Sequence, residues 1–91
     1  MIVLIKSAPQ TDEAQRGLKL AKDTSSDVVL LQDGVFHTKQ DNLKGLAGTA
    51  YVIEDDARLR GTGANTEGLK TIDYAGFMDL ITRGDKVIGL I

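Results

Sequence analysis

The chain has no cysteine and no tryptophan, a single proline and a single histidine, and aromatic residues make up only 4% of its 91 residues. Each shortage removes a class of function. Without thiols there are no disulfides, no thiolate nucleophile and no cysteine-based metal site, and the chain cannot carry sulfur as a persulfide. The net charge is −2, and Lys and Arg are scattered from Lys6 to Lys86 without a basic run. A concentrated basic face is what tRNA or DNA binding demands, so no direct nucleic-acid partner is expected. No apolar stretch approaches the roughly 18 residues that a bilayer span requires, so no membrane partner is expected either. Met1-Ile-Val-Leu-Ile5 runs into Lys6 with no cleavage signal. The expectation is a cytoplasmic, unprocessed chain.

What is present describes a folded protein. Hydrophobic residues at 42% against 26% charged are the composition of a chain with a core. The length suits one domain over residues 1–91, without linker or repeat. A core this small buries a modest share of the unfolded surface, so association with itself or with other chains is expected.

Five short apolar runs stand at residues 2–5, 28–31, 51–53, 69–72 and 87–91. They are continuous rather than alternating, which is the mark of strands buried on both faces, as in a parallel sheet covered by helices. The first intervening helix opens on Thr11, Asp12 and Glu13, carries Ala14, Leu18 and Ala21 on one face and ends near Asp23-Thr24-Ser25-Ser26. The last opens on Asp73, with Tyr74, Phe77, Met78 and Ile81 as its apolar stripe and Arg83-Gly84 as its stop. Between them the pattern predicts a weaker helix over 35–46, bearing Val35, Phe36, Leu43 and Leu46, and a turn or two over 55–60 closed by Gly61. With right-handed crossovers the fold class is α/β, a three-layer α/β/α sandwich on a mainly parallel sheet of four to five strands.

In such a sheet functional groups gather beyond the carboxyl ends of the strands. The strand ends here run into Lys6-Ser7, Gln32-Asp33-Gly34, Glu54-Asp55-Asp56 and Asp73-Tyr74. Gln32, Asp33, Gly34, Asp55, Arg60, Asp73 and Tyr74 are therefore the candidate rim, or interface. Clustered carboxylates hold hard cations, but Asp33, Asp55 and Asp73 each fall where a helix N-cap is wanted, and the cap reading is preferred to a magnesium or phosphoryl-transfer site. Gly34 is expected to give a tight strand exit through positive φ or close backbone approach. Gly61-Thr-Gly-Ala-Asn-Thr-Glu-Gly68 lacks the Gly-Lys-Ser/Thr of a Walker loop, and its glycines do not directly follow a strand; it reads as a flexible loop. His37 has no recognisable nucleophile or orienting acid beside it and reads as a surface or interface residue. Nothing in the pattern assigns a catalytic residue, a cofactor site or a metal site.

Three segments in order carry a family resemblance. Leu30-Leu-Gln-Asp-Gly-Val35 resembles the segment after the second strand of TusB/DsrH proteins. Tyr51-Val-Ile-Glu-Asp-Asp-Ala-Arg-Leu-Arg-Gly61 is similar to that family's strand, acidic turn and helix end, and Ile72-Asp-Tyr-Ala-Gly-Phe77 to the start of its last helix. The resemblance implies a DsrE-like fold. It also implies a non-catalytic subunit beside TusC/DsrF-like and TusD/DsrE-like chains, in a complex that passes persulfide sulfur to a TusE/DsrC-type carrier. The destination implied is 2-thiouridine at the tRNA wobble position, or dissimilatory sulfur oxidation in related complexes. The relay cysteine belongs to the TusD/DsrE-like subunit, and some DsrH members carry one of their own; this chain has none. The other readings open to the residues are a flavodoxin-like ligand-binding module that uses the aspartate rim and a self-assembling protein without a relay partner.

Overall fold

The computed structural model describes residues 1–39, 46–59, 69–83 and 87–90, with backbone alone at 37–39 and 88–90. Five strands, β1 (Ile2–Ile5), β2 (Asp27–Leu30), β3 (Ala50–Ile53), β4 (Lys70–Ile72) and β5 (Val87–Leu90), form one sheet. Its order is β4-β3-β2-β1-β5, and every pairing is parallel. The five strands coincide with the five apolar runs to within a residue at each end. Helices α1 (Asp12–Thr24), α2 (Glu54–Leu59) and α3 (Tyr74–Thr82) and a 3₁₀ helix (Gln32–Lys39) make the connections.

The strand order explains which helix lies on which face. From β1 to β4 the chain steps one strand at a time in one direction, and α1, the 3₁₀ helix and α2 all pack on the first face. Ala14, Leu18, Ala21, Val35 and Ala57 meet Val3, Ile5, Val28, Leu30 and Val52 there. The next connection reverses direction and crosses to the far edge, so one crossover hand puts α3 on the second face. Phe77 and Leu80 of α3 pack there against Ile2, Leu4, Val29 and Ile53. The two inner layers share alternate residues of the same strands, which is why the runs read as continuously apolar. Each fully buried Val, Leu or Ile contributes about 1.5–3 kcal/mol by leaving water.

α1 forms as its sequence dictates. The Thr11 hydroxyl accepts from the Ala14 N–H at 3.3 Å, Asp12 and Glu13 occupy the first turn, and Ser25 closes the helix with φ 54. The Ser26 N–H reaches the Ala21 carbonyl at 2.9 Å and the Ser25 N–H the Lys22 carbonyl at 3.4 Å, the six-to-one and five-to-two pair of a Schellman ending.

Two expectations about the helices need correction. The helix expected over 35–46 is, where described, a 3₁₀ helix that begins earlier, at Gln32. Val35 and Phe36 are adjacent and lack apolar partners at α-helical spacing within the segment, and β-branched Val35 and Thr38 are poor α formers. Phe36 is half-buried and Leu46 packs on the core. In α3 the packed pair is Phe77 and Leu80, whereas Tyr74 and Met78 of the expected stripe are 46% and 53% exposed. The stripe is rotated because the face is set by the sheet residues beneath the helix, and Tyr74 turns instead toward the strand ends. Leu43, Arg60, the segment 61–68, Gly84 and the side chain of His37 lie outside the described residues.

Candidate functional site

Beyond the carboxyl ends of β2, β3 and β4 a set of polar side chains is organised around one carboxylate. Asp56, in the first turn of α2, is 6% exposed. Its Oδ2 accepts the backbone N–H of Gln32 at 2.9 Å, and the Tyr74 hydroxyl lies 3.1 Å from both Oδ1 and Oδ2, donating to the carboxylate. Because β3 lies between β2 and β4, a residue on the helix that follows it stands between the other two strand exits. One side chain thus ties Gln32, just after β2, to Tyr74, just after β4. A buried carboxylate is costly unless hydrogen-bonded, and among the described residues no buried side-chain polar atom lacks a partner.

The exit from β2 is constrained from a second side. Gln32 has φ 50, the left-handed region that residues with a Cβ seldom adopt. Two residues on, Gly34 packs so closely on the end of β1 that an added Cβ would lie 1.9 Å from the Ile5 carbonyl oxygen. That oxygen also accepts the Leu31 N–H at 3.1 Å, and the Gly34 N–H donates to the Leu31 carbonyl at 2.9 Å. Close approach is therefore what the glycine supplies; the positive φ expected of it belongs to Gln32.

The aspartates divide by role. Asp73 caps α3, its Oδ1 accepting from the Gly76 N–H at 2.7 Å. Asp55 does not cap: it sits inside the first turn of α2 and pairs with the Arg58 guanidinium at 2.6 Å, both side chains largely exposed. The helix follows β3 with no intervening loop, so Glu54 is already helical and the cap position has passed. Asp33 is exposed in the first turn of the 3₁₀ helix. No three carboxylate, histidine or cysteine groups converge on a possible metal position among the described residues. The structure thus brings together Gln32 and Tyr74 of the candidate rim, with Asp33, Gly34, Asp55 and Asp73 flanking them on the same strand ends. Arg60 lies outside the described residues.

The residue that sequence reasoning passed over is Asp56. Its signal is positional: Ile53, Asp56 and Ala57 stand at i, i+3 and i+4, so the third acid of the Glu54-Asp55-Asp56 run falls on the inward face of any helix begun there. Among the described residues no helix is long and apolar enough to cross a membrane.

Comparison with known proteins adds the family. No curated protein matches the chain significantly. The solution NMR structure of protein Tm0979 from Thermotoga maritima is similar at TM-score 0.69 and 27% identity, over 98% of this chain and 100% of that one. The model of the DsrH like protein family matches residues 6–87, nearly the whole chain and all three segments that carry the resemblance. The chain belongs to the DsrH-like family of sulfur-relay subunits.

Proposed function

We propose that this chain is a non-catalytic accessory subunit of a TusBCD/DsrEFH-like sulfur-relay complex, acting in the cytoplasm, folded as one domain and serving 2-thiouridine formation at the tRNA wobble position. The observation that carries the reading is the family match over residues 6–87 in a chain with no cysteine. A member of a sulfur-relay family that lacks a thiol has no atom on which to carry persulfide sulfur, so its contribution is to hold other chains in place. Those chains are TusC/DsrF-like and TusD/DsrE-like subunits, with a TusE/DsrC-like carrier reached through them. The surface proposed for the contact is the strand-end rim of Gln32, Asp33, Gly34, Asp55, Asp73 and Tyr74, at the exits of three strands, with Arg60 added by its place in the sequence.

The test is reconstitution. The chain is mixed with TusC-like and TusD-like subunits from the same cell, a cysteine desulfurase and labelled cysteine, and the label is followed by mass spectrometry of each intact chain. A ternary complex is expected, with sulfur gained by the TusD-like subunit and none by this one. Failure to co-purify with either subunit, from the mixture or from the native cell, would remove the reading. A stable sulfur adduct on this chain would remove the claim that it is chemically silent.

A further inference from the structure

On the second face of the sheet α3 is the covering helix among the described residues, and it is lightly held. None of its nine residues is buried, and it meets the sheet through Phe77 and Leu80. An element that buries so little apolar surface opens locally at a small fraction of the free energy that unfolds the core. Yet its first residue is bonded elsewhere. Tyr74 donates to both oxygens of buried Asp56, and the same carboxylate accepts the N–H of Gln32, the residue held at φ 50. A left-handed conformation at a residue with a side chain persists only where its surroundings hold it. Here the described restraint on the Gln32 N–H is a carboxylate whose own position is set in part by α3.

We infer that Asp56 is a latch that couples the docking of α3 on the second face to the left-handed turn at Gln32 on the first. When Tyr74 withdraws, the carboxylate loses a donor shared by both its oxygens, and the Gln32 N–H loses a well-aimed acceptor. The coupling is reciprocal: whatever fixes the turn also favours docked α3. Information about one face of the sheet thus reaches the other through one hydrogen-bonded side chain. The inference stands on the geometry alone and holds whether or not the rim binds relay subunits.

Native-state hydrogen exchange of the full chain, followed by NMR at a temperature where every variant is folded, tests it. Tyr74→Phe keeps the ring and removes the hydroxyl; the Gln32 amide is expected to exchange about tenfold faster, the effect of weakening one bond to a carboxylate. Val28 and Leu30 amides, in the centre of the sheet, should change much less. Leu80→Ala loosens α3 without touching the latch. It should accelerate Gln32 exchange in the wild-type background and have little further effect in Tyr74→Phe, because the connection is already cut. A Gln32 rate that stays within about twofold of wild type in both single variants overturns the latch, as does acceleration spread equally over β2, the pattern of global rather than local opening. Equal effects of Leu80→Ala with and without the Tyr74 hydroxyl overturn it too, since the coupling would then bypass Asp56.

Discussion

Two residues in this chain hold backbone positions that their side chains, or lack of them, decide. Ser25 ends α1 in the left-handed region, where a Cβ is unfavourable and glycine is the usual occupant. Its side chain is exposed, so little is lost by removing it. Ser25→Gly is therefore expected to raise stability by about 0.5–1 kcal/mol, read as an upward shift of the urea midpoint at unchanged slope. Gly34 presents the opposite case. A methyl group there would enter the space of the Ile5 carbonyl oxygen, which is backbone at the end of β1, a strand paired on both sides, and cannot swing aside. Gly34→Ala is expected to cost about 1–3 kcal/mol, as overpacking against a fixed wall does. An unchanged midpoint would show that the 3₁₀ helix shifts freely on β1.

At the scale of elements, the two acids that open α2 and α3 look alike in sequence and differ in what they do. Asp73 satisfies an N–H that α3 cannot satisfy itself, so Asp73→Ala should cost about 1 kcal/mol. Asp55 makes an exposed pair three residues away, so Asp55→Ala should cost no more than about 0.5 kcal/mol, and less at high salt. Thermal unfolding of the two variants side by side distinguishes them; equal losses would mean that the Asp55 pair is stronger than its exposure allows. The same contrast marks the limit of what could be read in advance. The strands and α1 were legible because each has a local cause: an unbroken apolar run, or a cap, first-turn acids and a buried stripe of Ala14, Leu18 and Ala21. The 3₁₀ helix was not, because Val35 owes its burial to the strands and helices gathered around it in the first-face core rather than to any period of its own. The face of α3 was half legible: Phe77 was placed correctly, but Tyr74 answers to Asp56, a contact that spans 18 residues of sequence. Within the candidate site, strand ends could be named from the fold rule alone. Which of the three acids after β3 is drawn inward depended on α2 starting without a loop.

The whole molecule is a five-stranded sheet with unequal coverage. Among the described residues three helical elements pack on the first face and one short helix on the second, a consequence of three steps in one direction followed by a single return. A core of this size leaves apolar side chains outside: Leu59 is 79% exposed, Met78 53%, Tyr74 46%, Met1 51% and Val87 41%. Singly such residues are ordinary on a surface. In so small a chain, these five among the described residues add to a core already limited by its surface-to-volume ratio, and association is the usual remedy. These exposed side chains are the apolar surface that association would cover. Light scattering on a size-exclusion column should give a dimer or larger mass for the chain alone, or a complex when TusC-like and TusD-like subunits are added. The melting temperature should rise with total concentration in whichever assembly forms, because only the folded state associates. A monomer mass independent of concentration, with no new species on mixing, would contradict the prediction and leave the exposed apolar residues as unassociated surface.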